Sequence, residues 1–194
     1  TIVQGDAMVL DLPALLEEHF AGMPVVVCAN LPYYITSPII MRLLEGPLPI
    51  RSLTVMVQKE AAVRITAAPG TRECGAISAA VWYYSTPKLL FPVSRGSFLP
   101  APAVDSAVIR LDLPRELPED LPPREDFFAV VRAGFGQRRK TMLNSLSAGL
   151  RWEKDATRAL LTAAGIAENA RAEQVTLEQW KALTRAYFSM KKSR

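Results

Sequence analysis

Residues 25–40 read VVVCANLPYYITSPII and predict a strand, a turn and a helix in immediate succession. Val25–Ala29 is a short apolar run of the kind that forms a strand covered on both faces of a sheet. Pro38–Glu45 predicts a helix, with Pro38 in its first turn and Gly46 after its end. Between these elements lie an amide, a proline and two aromatic side chains, which are poor core residues. The question is what chemistry needs such a turn at the end of a strand.

Short β-rich runs and helical stretches alternate on both sides of this segment, up to about residue 113. The further predicted strands are Thr1–Gln4, Leu53–Val57, Lys88–Val93 and Ser106–Leu113. The further predicted helices are Leu15–Phe20, Gln58–Ala67 and Ile77–Tyr84. We expect the last two strands to pair in antiparallel fashion, because the segment between them is short. The alternation as a whole predicts an open, mostly parallel α/β sheet.

The composition changes after residue 113. The stretch LPRELPEDLPPR at 113–124 holds four prolines and no periodic apolar face, which is typical of a linker. Beyond it, apolar stripes at helical spacing predict a wholly helical region, whose last helix starts at the capping-box pair Thr176 and Gln179. We therefore predict three parts: an α/β domain at 1–113, a proline-rich linker at 114–124 and a helical domain at 125–194.

Composition excludes several classes of protein. The 194 residues are 49% hydrophobic, which is enough for a packed core, yet no apolar run approaches the length of a membrane helix. Cys28, Cys74 and His19 show no metal-ligand spacing, so we expect no metal site. Two lone thiols fit a reducing compartment, and we expect a cytoplasmic protein. The net charge of +4 says little by itself, because the distribution of charge matters more than its sum.

The turn after Val25–Ala29 suits the binding of a planar amino group. Asn30 offers a side-chain carbonyl, and Pro32 forces Leu31 into an extended conformation that holds its backbone carbonyl in one direction. Two fixed acceptors can grip both hydrogens of an aromatic amine and favour a more pyramidal, nucleophilic nitrogen, while Tyr33 offers a ring face for stacking. The alternative is a plain strand-to-helix turn in which Asn30 bonds its own backbone and the tyrosines pack.

The stretch NLPYYITSPII resembles motif IV of the adenine amino-group methyltransferases, specifically the rRNA adenine dimethyltransferase family. Four later stretches are similar to this family in the same order: VMVQKEAAVRI at 55–65, FLPAPAVDSAVIRL at 98–111, FGQRRKTMLNSL at 135–146 and RAEQVTLEQW at 171–180. Five ordered motifs make chance similarity negligible. The chain is identified as a member of this family, and it is most similar to the small-subunit branch, the kasugamycin-sensitivity methyltransferases.

The resemblance implies a fold and an activity. The fold would be a Rossmann-like, S-adenosylmethionine-dependent methyltransferase sheet followed by a small all-α C-terminal domain. The activity would be dimethylation of two adjacent adenosines near the 3′ end of small-subunit rRNA during ribosome assembly. The partners would be that rRNA and the maturing small subunit, with a monomeric enzyme and no membrane.

The resemblance also implies roles for individual residues. Asn30 and the carbonyl of Leu31, held by Pro32, would grip the target amine, with Tyr33 and Phe98 stacking on the two faces of the extruded base. The predicted cofactor-binding residues are Asp6, Ala7 and Asn30, with Asp6 matching the acidic residue that reads the adenine of S-adenosylmethionine. The residues alone leave two simpler alternatives open: Asp6 as a turn or cap aspartate, and Phe98 as a core residue.

A basic cluster precedes the helix that begins near Met142. The resemblance places Arg138, Arg139 and Lys140 beside the rRNA cleft, where they would contact phosphates, and Lys59 and Arg95 would extend this surface. By itself, such a cluster is more often a solvated helix face. Glu60 and Arg64 lie one helical turn apart and predict a structural ion pair.

The sequence departs from the family at its beginning, where the first strand with its glycine-rich turn and the second strand with its ribose-binding acid are not found. We therefore expect an incomplete sheet and a fragment of a methyltransferase. The chain as written should bind S-adenosylmethionine weakly or not at all and should be inactive. Two other functions stay open. One is the related large-subunit enzyme of the macrolide-resistance type, and the other is a non-catalytic rRNA-binding assembly factor.

Overall fold

The computed structural model describes residues 1–137 and 139–192. The described residues form two compact units. The sheet unit consists of Thr1–Thr66 and Tyr84–Glu116, and the helical unit consists of Ala67–Tyr83 and the described part of Leu117–Arg194. This division differs from the predicted boundaries because Ala67–Tyr83 packs with the helical residues rather than with the sheet.

Apart from the strand predicted at Thr1–Gln4, the helices and strands follow the order that the sequence predicts. The strands are β1 Val25–Asn30, β2 Ile50–Gln58, β3 Thr86–Val93 and β4 Ser106–Asp112. The α-helices are α1 Leu12–Phe20, α2 Thr36–Glu45, α3 Lys59–Thr66, α4 Ala76–Tyr84, α5 Arg124–Phe135, α6 Met142–Leu150, α7 Lys154–Ala163 and α8 Leu177–Lys192. Short 3₁₀ turns are found at Tyr33–Ile35, Arg95–Ser97 and Ala172–Gln174.

The four strands form one mixed sheet in the order β1-β2-β4-β3. β1 and β2 pair in parallel, whereas β4 pairs in antiparallel fashion with both β2 and β3. The predicted β3–β4 pair is confirmed. Of the four described strands, β1, β2 and β3 run in the same direction, as the predicted mostly parallel sheet requires, and β4 runs against them. The chain reverses direction in the loop at 94–105 and inserts β4 between β2 and β3, an arrangement that local sequence does not encode.

Two expectations about the first strands are wrong. Residues 1–4 are exposed and form no strand, because within the described ranges they lie beside no strand with which they could pair. The sequence predicts that β1 is covered on both faces, yet Val26 is 71% exposed and Cys28 is exposed as well. The face that carries these alternate residues is open to solvent, although Val25 on the other face is buried.

The core of the sheet unit lies under β2 and β4. Leu53, Val55 and Val57 of β2 are almost fully buried, as are Ile109 and Leu111 of β4. Helix α3 packs against β2, β3 and β4, and the Ala62 and Ile65 side chains on its inner face are buried. This packing holds the end of the sheet at which β1 and β2 finish, and the turn after β1 begins there.

Charged side chains connect β3 to β4 at the opposite edge. The Asp112 carboxylate accepts hydrogen bonds from the Arg110 guanidinium at 2.6 Å and from the Lys88 ammonium at 3.3 Å. The hydrogen bond from Arg110 is the main cause that lowers the pKa of Asp112 below its ordinary value. These contacts are exposed, so each adds little to stability.

Helix α5 is central to the helical unit and packs against α6 and α8. Phe127 of α5 and Trp180 of α8 are completely buried. The ring of Tyr83 lies 4.6 Å from that of Phe127, and its hydroxyl donates a hydrogen bond to the Pro122 carbonyl at 3.0 Å. These contacts explain why Ala67–Tyr83 belongs to the helical unit.

The predicted capping box of the last helix is confirmed. The Thr176 backbone N–H donates to Gln179 Oε1 at 3.1 Å, and the Gln179 N–H donates to Thr176 Oγ1 at 3.3 Å. Each side chain thus satisfies a backbone donor that the first turn of α8 leaves without an intrahelical acceptor.

Helix α6 approaches α5 so closely that Gly149 has no room for a side chain. A Cβ at this position would lie 2.6 Å from both Cα and Cβ of Ala133. Alanine is a better helix former than glycine by about 1 kcal/mol, but the overlap involves backbone atoms that cannot move aside. We therefore expect Gly149→Ala to lower the free energy of unfolding by about 1–3 kcal/mol, as measured by urea denaturation followed by circular dichroism.

Gly96→Ala is the control for this prediction. Its Cβ would lie 3.6 Å from Ser94 Oγ, which is an ordinary contact, so we expect a change within about 0.5 kcal/mol. An unfolding midpoint of Gly149→Ala at or above that of the parent chain would contradict the close α5–α6 contact.

Candidate functional site

The turn after β1 begins where the strand pairing continues one residue beyond the strand. The Leu31 N–H donates to the Met56 carbonyl of β2 at 3.1 Å, and Leu31 is buried. Pro32 then adopts φ −59° and ψ 129°, which is extended, and the chain enters the 3₁₀ turn that leads into α2. Thr36 Oγ1 donates to the Pro32 carbonyl at 3.1 Å and so closes the turn.

Two acceptors of this turn are left available. Within residues 1–137 and 139–192, neither the side chain of Asn30 nor the carbonyl of Leu31 has a hydrogen-bond partner. Asn30 is exposed at the end of β1 and does not bond its own backbone through its side chain, as the alternative of a plain turn requires. The geometry is therefore compatible with the predicted pair of acceptors.

Tyr33 is held in place by a residue that the sequence did not single out. Its hydroxyl lies 2.6 Å from Oγ of Ser106, a fully buried residue at the start of β4. Ser106 stands within the motif at 98–111, and a polar residue leading an apolar strand is the signal that could have found it. Tyr34, by contrast, is 86% exposed. The hydrogen bond fixes the orientation of the Tyr33 ring.

A cavity of about 370 Å³ opens beside this turn. It is lined by Asn30, Leu31, Pro32, Tyr33, Phe98, Pro100 and Pro102. The structure thus brings together all five residues predicted to act on the target base, from two segments that are distant in the chain. A volume in this range fits a small ligand, and the lining combines aromatic faces with few polar groups.

A second, larger cavity of about 620 Å³ lies on the other side of Leu31 and Pro32, which line both cavities. Asp6 and Ala7 line it, together with apolar residues of α1, β1 and α2 that include Leu12, Ala29 and Ile39. Asn30, the third residue predicted to bind cofactor, lines the first cavity instead. Among the described residues, the Leu31–Pro32 segment alone is common to the walls of both cavities.

Asp6 has the local role that the simpler alternative describes. Its Oδ1 accepts the Met8 N–H at 2.8 Å, and its backbone carbonyl accepts the N–H groups of Val9 and Leu10 at 2.9 and 3.0 Å. Its second carboxylate oxygen has no partner among the described residues, so the side chain can still accept a hydrogen bond from a ligand. Arg42 of α2 donates to the Leu10 carbonyl and holds this segment against the cavity.

The predicted RNA-binding residues lie in both units. Lys59 and Arg95 are exposed and line one further cavity of the sheet unit. Arg139 and Lys140 are exposed between α5 and α6 of the helical unit, and Arg138 lies outside the described residues. The predicted ion pair between Glu60 and Arg64 is confirmed, with an N–O distance of 3.2 Å.

The helical unit adds a cation that the sequence interpretation did not single out. The N–H of Met142 donates to the Ala170 carbonyl at 2.7 Å, so the segment before Ala172–Gln174 lies against the start of α6. Arg171 is exposed and follows Ala170 directly, which brings it near Lys140, two residues before Met142. This arginine begins the stretch RAEQVTLEQW, but the long sequence separation from Lys140 hides their proximity.

Metal-binding clusters and membrane-spanning helices are not found in the described parts of the chain. No group of three or more histidine, cysteine, aspartate or glutamate side chains within the described ranges could hold a metal ion. None of the helices described has the length and apolarity needed to cross a bilayer. Cys74 is buried, and burial raises the pKa of its thiol above the ordinary value.

The sequence model of the family described as ribosomal RNA adenine dimethylase matches residues 1–188. The chain belongs to this family. It is 50% identical over 184 residues to the ribosomal RNA small subunit methyltransferase A of Alkaliphilus oremlandii (strain OhILAs), an alignment that covers 94% of this chain and 64% of that relative. It is 42% identical over 183 residues to the protein of the same name from Clostridioides difficile (strain 630), covering 94% and 63%. The chain thus spans less than two thirds of the length of these curated relatives.

Solved structures of similar proteins share the fold. A dimethyladenosine transferase from Plasmodium falciparum superimposes with a TM-score of 0.74 at 22% identity, covering 96% of this chain and 72% of that one. The 23S rRNA methyltransferase ErmE superimposes with a TM-score of 0.66 at 26% identity, covering 95% and 70%. The family resemblance drawn from the motifs is confirmed, and so is the fold class of a methyltransferase-type α/β sheet followed by a helical region.

The contact between Tyr33 and Ser106 gives a prediction about stability. Tyr33→Phe leaves the buried Ser106 hydroxyl without its partner, so we expect the free energy of unfolding to fall by about 1–3 kcal/mol. Adding Ser106→Ala removes the stranded hydroxyl, and the double variant should recover part of this loss. Urea denaturation of the two single variants and the double variant measures the coupling.

Tyr34→Phe is the matched control, because the Tyr34 side chain is exposed and its variant should unfold like the parent chain. If the effects of Tyr33→Phe and Ser106→Ala simply add, the two hydroxyls do not interact.

Proposed function

We propose that this chain belongs to an enzyme that transfers methyl groups from S-adenosylmethionine to the amino groups of two adjacent adenosines near the 3′ end of small-subunit rRNA. The observation that carries the proposal is the pair of cavities that share Leu31 and Pro32, with the unpaired acceptors of Asn30 and Leu31 in the lining of the smaller one. A methyl transfer needs such an arrangement, because the donor and the accepting amine must meet in one place while each is held separately.

The smaller cavity, called the adenine cavity from here on, supports the recognition of an adenine base. The Asn30 side-chain carbonyl and the Leu31 backbone carbonyl can each accept one hydrogen of its amino group, which orients the nitrogen and favours its pyramidal form. Tyr33 and Phe98 offer aromatic walls, and stacking on such walls offsets the cost of taking a base out of its helix, which is a few kcal/mol. The hydrogen bond to Ser106 keeps the Tyr33 ring ready for stacking.

The larger cavity supports the binding of the adenosyl part of the cofactor. The free carboxylate oxygen of Asp6 can accept a hydrogen bond from an exocyclic amino group, and the apolar side chains around it suit a flat ring. Ala7 lines the same cavity, and Asn30, in the wall of the smaller cavity, directly precedes Leu31, which lines both. When bound, S-adenosylmethionine supplies an electrophilic methyl group. The chain's own residues hold the accepting amine and exclude water from it.

Exposed cations support contact with the RNA backbone. Arg139 and Lys140 are exposed just before α6, Arg171 follows the residue that bonds Met142 at the start of α6, and Lys59 and Arg95 add two cations on the sheet unit. Such side chains bind phosphates without reading sequence, so they would position the rRNA while the cavity selects the base. Arg138 belongs to the same proposal by its place in the sequence. We expect the protein to act as a cytoplasmic monomer on the maturing small subunit.

Two alternatives are weaker. A large-subunit methyltransferase of the macrolide-resistance type has the same fold, but the similarity to ErmE is 26%, against 42–50% for proteins named small subunit methyltransferase A. A non-catalytic assembly factor would need the basic surface but has no use for two adjoining cavities with free acceptors. A methyl-transfer experiment separates all three.

The test is transfer of labelled methyl from S-adenosylmethionine to small ribosomal subunits that lack the modification, with large subunits as the competing substrate. It should use this chain beside a chimera that adds the segments of the Alkaliphilus oremlandii relative that this chain does not cover. We expect the chimera to modify small subunits. Transfer to large subunits would favour the macrolide-resistance type, and binding without transfer by either protein would favour an assembly factor.

Substitution of Tyr33 tests the stacking role in the active chimera. Tyr33→Ala removes one wall of the adenine cavity, so we expect methyl transfer to fall roughly tenfold to a hundredfold with little change in rRNA affinity. Phe91→Ala, at an exposed position of β3 that lines neither cavity, should leave both quantities unchanged. Equal losses of transfer and affinity for Tyr33→Ala would instead assign Tyr33 a purely structural role.

Charge reversal tests the phosphate contacts of the helical unit. Removal of one phosphate contact should reduce the slope of log affinity against log salt by roughly 0.7–0.9. We expect the double variant Arg139→Glu, Lys140→Glu to bind rRNA more weakly and with a smaller slope, as measured by filter binding at several salt concentrations. Arg72→Glu, at an exposed position elsewhere in the same unit, is the control. An unchanged slope would indicate that Arg139 and Lys140 lie on a solvated face and contact no phosphate.

A further inference from the structure

A third cavity, of about 610 Å³, lies in the sheet unit between α3 and the loop at 94–105. Its lining combines charged and polar side chains with apolar ones, and none of its residues acts on the target base in the proposed function. The lining residues are Gln58, Lys59, Glu60, Val63, Arg95, Ala103, Val104 and Asp105.

We propose that this cavity binds the nucleotide that neighbours the extruded adenine in the RNA chain. The ligand is a nucleoside with its phosphate: the phosphate contacts Lys59 and Arg95, and the base lies against Val63 and Val104. The inference rests on the proposed function and deepens it, because it assigns a second nucleotide subsite to the same enzyme.

The charges of the cavity favour a phosphate. The Lys59 ammonium has no carboxylate partner in the described part of the chain. The Arg95 guanidinium makes one long hydrogen bond, at 3.4 Å, to the Ala103 carbonyl, which leaves most of its donors available. Of the two acidic residues that line the cavity, Glu60 is already paired with Arg64. Among the lining residues, two cations therefore face Asp105 alone, and a bound phosphate would balance their charge.

The other walls of the cavity favour a base. Val63 of α3 and Val104 of the loop both line the cavity and are 39% and 43% exposed. A flat ring would cover them and remove their apolar surface from water. The Gln58 side-chain amide has no hydrogen-bond partner among the described residues, so its donor and acceptor can both meet the edge of a base.

The position of the cavity relates it to the adenine cavity. One loop separates the two: Phe98, Pro100 and Pro102 line the adenine cavity, whereas Arg95 and Val104 line this one. The loop is fixed at its ends, because Asp105 Oδ1 accepts the Arg95 N–H at 3.0 Å and the Asp105 carbonyl accepts the Lys59 N–H at 3.0 Å.

The two cavities are also close along the chain. Asp105 precedes Ser106, the residue that holds the Tyr33 hydroxyl, and neighbouring Cα atoms are about 3.8 Å apart. Gln58 lies opposite Ser106 in the β2–β4 pairing. This closeness along the chain supports the assignment of the second cavity to an adjacent nucleotide of the same RNA chain.

Nuclear magnetic resonance titration of the isotope-labelled 194-residue chain tests the inference. The probes are adenosine 5′-monophosphate, adenosine and inorganic phosphate. We expect adenosine 5′-monophosphate to shift the methyl signals of Val63 and Val104 and the side-chain amide of Gln58. Adenosine and inorganic phosphate should each bind these residues more weakly, since each supplies only half of the ligand.

Charge removal identifies the phosphate contacts. Lys59→Gln and Arg95→Gln should each weaken the binding of adenosine 5′-monophosphate at these residues by roughly fivefold to tenfold, and neither should change the binding of adenosine. Arg115→Gln is the control, because Arg115 is exposed in the same unit and lines none of the three cavities described.

Three outcomes would overturn the inference. If adenosine 5′-monophosphate shifts only the signals of residues around Tyr33 and Phe98, the nucleotide binds the adenine cavity and the second subsite is wrong. If inorganic phosphate binds as tightly as the nucleotide, the cavity is a simple anion site. If the nucleotide shifts the signals of neither cavity, the second subsite is wrong and the proposed function loses the support of the adenine cavity.

Discussion

The hydrogen bond from the Leu31 N–H to the Met56 carbonyl is the constraint on which the candidate site depends. It carries the β1–β2 pairing one residue past the end of β1, so that Leu31 is buried and fixed before the chain turns at Pro32. Because proline then holds the backbone extended, the Leu31 carbonyl and the Asn30 side chain remain at the sheet edge, without partners among the described residues. Had the chain turned one residue earlier, these acceptors would have been used within the turn.

The rest of the sheet unit determines which side chains surround this edge. The reversal of the chain at 94–105 brings β4 between β2 and β3, and with it Ser106 under Tyr33 and Phe98 across the cavity. One loop thereby forms a wall of the adenine cavity and of the cavity that contains Lys59 and Arg95. In many proteins a rigid sheet fixes the positions of the loops, and the loops carry the binding residues.

The helical unit depends on the close approach of its helices at two glycines. Gly149 allows α6 to touch Ala133 of α5, and Gly134 makes room for the ring of Trp180. The same packing brings Ala170 against Met142 at the start of α6, which gathers Lys140 and Arg171 from distant parts of the sequence. The basic surface of this unit is thus a product of core packing.

The sequence by itself determined the family and the order of the helices and strands after the first residues, because these depend on motifs, periodicity and capping patterns that are local. It also predicted, from the family resemblance, five residues that line the smaller cavity. It predicted the capping box at Thr176 and the β3–β4 pair correctly. Only the tertiary structure decided the mixed pairing of the sheet, the exposure of Val26 and the absence of a strand at Thr1–Gln4 in the described chain. It also revealed the contact between Ser106 and Tyr33 and the place of Ala170 beside the start of α6. These features depend on which segments meet, and a contact between distant residues leaves no periodic signal in either segment.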